Sequence, residues 1–332
     1  MKSLRFLAAL FVVSLLAVPM FGATSLLTPG GIRYAIEPTP DRPQIEIGRA
    51  EGLLRATLIV PTTDDAIAES QAQLAFDATT ETLFVVWTRE NATGAEIRYV
   101  TLDNQGQWSV PRNLAAGAGM YGGVQLVLTR SEYAGVPATL MHVAWWSING
   151  RELDPEYALF AFENGVRVSA DVANLVELSR LDIPTASAWE DVGPAVHPPL
   201  TMARNGETVD IAFGSTTSTA ITRVNVKPRK VGPDVRMWRP VGRGSSTTPR
   251  VNLVSADETP IQAFIVKDRL ALYTAGDDFR FVVLGKDNTW SQIHSVHVDE
   301  KNTLTDLARD FRDTVEELID HEIAAEPELP SQ

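Results

Sequence analysis

Residues 73–114 read QLAFDATTETLFVVWTRENATGAEIRYVTLDNQGQWSVPRNL, and this stretch decides how the rest of the chain is read. Leu74–Asp77 is a short apolar run, and Thr79-Thr80-Glu81 then supplies turn residues. Thr82–Thr88 (TLFVVWT) is strongly β-prone, Asn91–Gly94 turns, and Glu96–Leu102 (EIRYVTL) alternates. Asp103–Gly106 turns again, and Trp108–Leu114 closes the group. Four short strands joined by three tight turns fit within about 40 residues, a density that predicts an antiparallel meander.

The pattern recurs outward from this stretch. A second group comprises Val124–Thr129, Leu140–Trp146, Tyr157–Phe162 and Val166–Ser169. A third comprises Leu200–Ala203, Val209–Phe213, Ile221–Val226 and Met237–Val241. The fourth is read as Val251–Val254, Ile261–Val266, Phe279–Leu284 and Trp290–Val296. In each group the second strand carries a nearly unbroken apolar run: FVVW, VAWW, IAF and AFIV. Such runs fit a strand covered on both faces by neighbouring sheets. The alternative is a pair of β-sandwiches, whose strands rarely group in fours with one apolar member each. The predicted fold is therefore an all-β β-propeller over residues 51–300. A fifth blade, drawn from strands before Val60, makes it five-bladed.

The flanks read differently. Lys2 and Arg5 precede an apolar run from Phe6 to Met20, and small residues follow at Gly22, Ala23 and Ser25. This is the form of a cleaved signal peptide spanning residues 1–25. Cleavage after Ser25 gives the better Ala-x-Ser site, and the run is short of the roughly 20 residues a membrane span needs. The expected location is periplasmic or extracellular, with no membrane span after cleavage. Residues 26–50, which include the Pro-rich Glu37–Pro43, read as an extended linker. After residue 300, Thr303–Asp306 resembles a capping box, and apolar residues recur with helical period at Leu304, Leu307, Phe311, Val315, Leu318, Ile319 and Ile323. An amphipathic C-terminal helix is expected over 301–325, with a disordered tail over 326–332. Its apolar stripe, Thr303–Ile323, needs a surface, either on the propeller itself or on another chain.

Composition narrows the chemistry. The chain has 332 residues, 29 bases against 42 acids, and a formal charge of −13, or −15 once Lys2 and Arg5 are removed. An anionic surface of this size disfavours nucleic acid. With no cysteine, disulfides, thiolate metal sites and thiol nucleophiles are all excluded. His294 and His297 stand three apart in a predicted strand and point to opposite faces, so they do not share a metal. His142, in an apolar run, reads as a hydrogen-bonded core histidine. Asp64-Asp65 and Asp277-Asp278 read as solvated turns. No cofactor or metal is expected.

Thr101-Leu-Asp-Asn-Gln-Gly-Gln-Trp108 resembles the Asp-box of sialidases and related propellers, with Thr101, Asp103 and Trp108 in place. The glycine falls one position late at Gly106, and Gln107 replaces the family's threonine. Asp287–Trp290 keeps only the Thr-Trp ending. The resemblance spans about Gln73 to Val298. It implies a propeller with a structural hairpin at this motif, and it leaves a sialidase-like glycoside hydrolase as the alternative function. The family's Arg-Ile-Pro motif is absent, since Gly31-Ile-Arg-Tyr34 does not supply it, and no catalytic residue is assigned.

Two stretches carry the candidate binding residues. Between Arg223 and Arg250 lie eight bases against Asp234 alone. Arg223, Lys227 and Arg229 share one strand parity, with Val224 and Val226 on the other. That places three cations in a row on an outer face, suited to an anionic carbohydrate or an acidic protein partner. The connection from Val176 to Pro199 exceeds ordinary loop length. It holds Arg180, Asp182, Trp189, Glu190, Asp191 and His197, a mixture suited to sugar or peptide contacts, although Trp189 would equally serve an inter-blade crossing. A non-enzymatic binding or scaffolding module is the function these features favour.

Overall fold

A computed structural model of the chain describes residues 25–37, 45–61, 69–91, 94–149, 152–179, 200–214, 218–230, 236–249, 262–266, 269–275, 278–285, 290–297 and 317. Within them the chain is almost entirely β, arranged as five antiparallel four-stranded sheets, each of four consecutive strands in sequential order. Sheet 1 holds β1 (Ser25–Leu27), β2 (Ile32–Glu37), β3 (Glu46–Glu51) and β4 (Leu54–Ile59). Sheet 2 holds β5 (Glu69–Asp77), β6 (Thr82–Asn91), β7 (Gly94–Leu102) and β8 (Arg112–Gly117). Sheet 3 holds β9 (Met120–Tyr133), β10 (Val136–Asn149), β11 (Glu152–Glu163) and β12 (Val166–Asn174), followed by a single-turn helix, α1 (Leu175–Ser179). Sheet 4 holds β13 (Leu200–Asn205), β14 (Thr208–Gly214), β15 (Ser218–Lys230) and β16 (Arg236–Pro249). Sheet 5 holds β17 (Gln262–Val266), β18 (Arg269–Ala275), β19 (Asp278–Val283) and β20 (His294–His297).

Consecutive sheets pack face to face, and each seam has its own core. Leu26, Tyr34 and Ile47 meet Leu74, Val85 and Trp87 between sheets 1 and 2. Phe84, Val86 and Tyr99 meet Val143, Trp145 and Phe160 between sheets 2 and 3. Trp146, Tyr157 and Leu159 meet Ile211, Phe213 and Trp238 between sheets 3 and 4. Ala203, Ala212 and Ile221 meet Leu270, Leu272 and Val282 between sheets 4 and 5. The apolar second strands follow from this stacking. Along β6, Phe84 and Val86 face sheet 3 while Val85 and Trp87 face sheet 1. Along β10, Val143 and Trp145 face sheet 2 while Ala144 and Trp146 face sheet 4. A strand covered on both sides has no solvent face for polar residues to occupy. The first strands also meet one another in chain order: β1 on β5, β5 on β9, β9 on β13, and β13 on β17.

Two expectations change. Residues 26–50 are not a linker throughout. Only 38–44 fall outside the described residues there, and β1, β2 and β3 flank them. Leu26, Tyr34 and Ile47 are buried against sheet 2, so the strands on either side of 38–44 belong to the core. In sheet 5 the expected strand order is shifted by one. The AFIV run is the first strand, β17, and Leu270-Ala271-Leu272 of β18 forms the apolar second strand. A first strand packed on β13 is apolar for its own reason, so composition alone does not separate the two positions. Val251–Val254, the expected signal peptide and the C-terminal helix lie outside the described residues, apart from Glu317, which is helical and exposed, and Ser25, which is buried in β1 against the expected cleavage after it.

The turn after Thr101 is built around its aspartate. Asp103 Oδ1 accepts the N–H groups of Gln105 (2.9 Å) and Gln107 (2.8 Å). Gly106, at φ +77°, takes the left-handed conformation the turn requires. Leu102 bridges Trp108, and Thr101 and Ser109 bond through the Ser109 N–H and hydroxyl. Sheet 5 repeats this closure: Leu284 bridges Trp290, and Ser291 makes the same two bonds to Val283. The shared unit is thus Leu, five intervening residues, Trp-Ser, placed between the third and fourth strands of both sheets.

His142 is a core histidine. It is fully buried on β10, with Nε2 2.8 Å from Thr129 Oγ1 and Nδ1 2.7 Å from the Tyr157 hydroxyl. Burial, with a smaller contribution from the Arg204 charge, lowers its pKa to about 3 and keeps it neutral.

Candidate functional site

The basic stretch forms the outer two strands of sheet 4, paired over thirteen residues from Ser218↔Pro249 to Lys230↔Arg236. Strand parity is as the sequence predicts: Arg223, Lys227 and Arg229 are exposed, while Val224 is buried and Val226 half-buried. The register then adds a residue that parity along one strand does not reveal. Lys227 stands directly opposite Arg239 of β16, with side chains within reach of one another.

These cations belong to a groove of about 530 Å³ between α1 and the β15–β16 ribbon. Lys227, Arg229 and Arg239 line it together with Glu177, Leu178, Pro228, Pro240, Val241 and Gly242. The groove exists because α1 is seated closely on the ribbon. Asn174 caps the helix, its Oδ1 accepting the Val176 N–H at 2.9 Å. Leu178 then lies over Gly242, where a Cβ would collide with the Leu178 carbonyl oxygen and side chain. Leu178 and Val226 pack on the core between sheets 3 and 4. Among the described lining residues, three cations face one carboxylate, so the groove favours an anion. Asp171 of β12 holds Arg239 from the side, its Oδ2 3.8 Å from Nε.

Arg223 does not join this group. Its guanidinium is bonded to Asp210, with Nε 2.6 Å from Oδ1 and the second nitrogen 2.8 Å from Oδ2. Asp210 is its cross-strand neighbour on β14 and is nearly inaccessible. This bidentate pair neutralises a buried carboxylate and so explains Arg223 without a ligand. The cations thus split into a structural Arg223 and a groove set of Lys227, Arg229 and Arg239. Arg180, Trp189, Glu190, Asp191 and His197 lie outside the described residues. α1 occupies the start of the Val176–Pro199 connection, where the sequence reading expects only a loop.

A second set of polar residues lies on the first strands. Asp77, at the end of β5 and nearly inaccessible, accepts the Thr79 N–H at 3.0 Å and a short hydrogen bond from the Thr139 hydroxyl. Arg130 Nε lies 3.3 Å from its Oδ1. Burial alone would raise the Asp77 pKa. The hydrogen bonds and the Arg130 charge outweigh it, and the net shift is downward. With its partners supplied from the β5–β6 turn, β9 and β10, Asp77 ties sheet 2 to sheet 3.

No protein-family model matches the chain, and no curated protein matches it. Among solved structures it is similar to a mutant of Aleuria aurantia lectin in complex with α-methyl-L-fucoside. The TM-score is 0.36 at 10% sequence identity, over 84% of this chain and 95% of that one. Fold and site therefore rest on the chain's own geometry.

Proposed function

We propose that this is an exported, non-enzymatic binding protein, a five-bladed β-propeller that takes an anionic carbohydrate in the groove between α1 and the β15–β16 ribbon. The propeller reading is supported by five consecutive meanders, a separate core in each seam, and first strands that meet in chain order. The binding reading rests on one observation: Lys227, Arg229 and Arg239 converge on a single groove of about 530 Å³. That volume lies in the range of small-ligand sites, about 300–1,000 Å³. Pro228, Pro240, Val241 and Leu178 give the walls an apolar character on which the C–H face of a sugar can rest, while the cations meet its carboxylate or sulfate. A glycoside hydrolase needs two carboxylates flanking the scissile bond. Glu177 is the one carboxylate among the described lining residues, which favours binding over hydrolysis.

The test is titration of the exported chain with an acidic polysaccharide at low and high salt. Neutralising Lys227, Arg229 and Arg239 together to Gln is expected to weaken binding about tenfold or more at low salt. The difference shrinks as salt screens the groove. Equal affinity in the triple variant would refute the reading, as would affinity that ignores salt.

A further inference from the structure

The neighbouring seam, between the outer strands of sheets 2 and 3, carries a different cluster. Tyr99 of β7 is only 3% exposed. Its cross-strand partner on β8 is Arg112, and its ring packs on Phe160 and Phe162 of β11 at centroid distances of 6.4 and 5.8 Å. Arg167 of β12 stands opposite Phe162 in the ladder, with its guanidinium carbon 5.8 Å from the Phe160 ring centre. Both guanidinium groups lie close enough to the Tyr99 hydroxyl for their charges to act on it, and since arginine only donates, the phenol oxygen faces them as an acceptor. Burial raises the Tyr99 pKa against the opposing pull of Arg167 and Arg112, so the phenol keeps its proton and is itself a donor. Among the described residues neither Arg112 nor Arg167 pairs with a carboxylate, in a chain with 42 acids.

The wall beside this cluster is apolar and open. Val172 and Ala170 of β12 stand opposite Ala158 and Phe160 in the ladder, on the face turned toward sheet 2, since both partners belong to that seam's core. Both residues are exposed, Val172 at 54%. On the other side Leu114 and Ala115 of β8 pack against the same core.

We infer that this seam is a second anion site, in which Arg112, Arg167 and the Tyr99 hydroxyl grip the carboxylate of an acidic sugar whose ring lies against Ala170 and Val172. Two planar guanidinium groups match the two oxygens of a carboxylate. The apolar wall favours a sugar ring over a hydrated acidic peptide. The site is separate from the α1 groove and stands whether or not that groove binds.

The experiment is calorimetric titration of the full exported chain with an oligogalacturonate, a neutral oligosaccharide of the same length, and poly-L-glutamate. It is run on the Lys227→Gln/Arg229→Gln/Arg239→Gln background, which removes the groove. The oligogalacturonate is expected to bind this background and the neutral sugar is not. Adding Arg112→Gln and Arg167→Gln should weaken uronate binding tenfold or more, and Tyr99→Phe several-fold. If the double arginine variant does not fold, Tyr99→Phe decides, because it keeps the ring in the core. Uronate affinity that ignores these substitutions overturns the site, as does absence of uronate binding in the groove-deleted background. A preference for poly-L-glutamate overturns the assignment to a sugar. Binding in the unsubstituted chain that vanishes with the groove cations leaves the groove reading standing alone.

Discussion

Acid should destabilise this protein through one histidine. His142 is buried and neutral, with its pKa lowered from 6.5 to about 3. In the unfolded chain it takes up a proton near pH 6.5, while in the folded chain it does not until about pH 3. Stability is therefore full above pH 6.5 and falls as pH drops toward the folded value, at about 1.4 kcal/mol per unit. At pH 5, about 1.5 units below the unfolded pKa, the loss from this residue alone is about 2 kcal/mol. The perturbation that isolates it is His142→Gln, whose amide can bond Thr129 and Tyr157 without titrating. At pH 7.5 the variant should be about 1–3 kcal/mol less stable than the wild type, through imperfect replacement of two buried hydrogen bonds. At pH 5 the gap should narrow by about 2 kcal/mol, since only the wild type suffers the protonation penalty. Urea unfolding followed by circular dichroism at both pH values reads the difference, and the carboxylates common to both proteins cancel. Parallel stability curves from pH 7.5 to 5 would refute a neutral, buried His142.

Other substitutions probe other parts of the argument. Gly242→Ala should cost about 1–3 kcal/mol, as overpacking does, and weaken anion binding, because the new methyl pushes Leu178 and α1 off the ribbon; thermal melts and titration report both. Asp103→Ala removes the acceptor of two turn N–H groups and should cost about 1–2 kcal/mol without touching binding, which separates the hairpin motif from the site. Arg223→Gln leaves the buried Asp210 carboxylate without its guanidinium and should lower the melting temperature more than it lowers ligand affinity, the reverse of Lys227→Gln. If the N-terminal run is a signal peptide, N-terminal sequencing of the mature chain should find Ser25 retained, with cleavage before it rather than after it, because Ser25 is buried and pairs with Ala35 at the start of β1. Deleting residues 303–332 should lower the melting temperature or change the oligomeric state if the predicted apolar stripe there is covered, and neither change would refute that.

The four-strand grouping was legible wherever tight turns separated runs of different character. Sheets 2, 3 and 4 fall where the sequence places them because Asn91–Gly94 and Asp103–Gly106 mark their own turns, and FVVW and VAWW mark strands with two covered faces. Sheet 1 was half hidden, since a Pro-rich stretch between Ile36 and Ile45 reads as linker to any local rule. Sheet 5 slipped by one strand because apolar content alone does not separate a first strand from a second. The repeated Leu-x5-Trp-Ser closure was only partly visible. Its aspartate and glycine differ between the two copies, and what the copies share is a ladder bridge and a serine hydroxyl that bond across the turn.

From its sequence this chain is determined to be a cysteine-free, acidic, repeating β-protein with a cationic segment at Arg223–Arg250, because composition, period and charge are properties of residues in order. Tertiary structure alone decided what each cation stands beside. Arg223 was assigned to Asp210 by a ladder position on β14, and Arg239 was brought to Lys227 by the register of β16. Arg112 and Arg167 were drawn to one phenol from strands 55 residues apart. Pairing across strands depends on register and sheet stacking, which no local pattern encodes, so the difference between an arginine paired with a buried carboxylate and one that lines a groove appears only when the chain is folded.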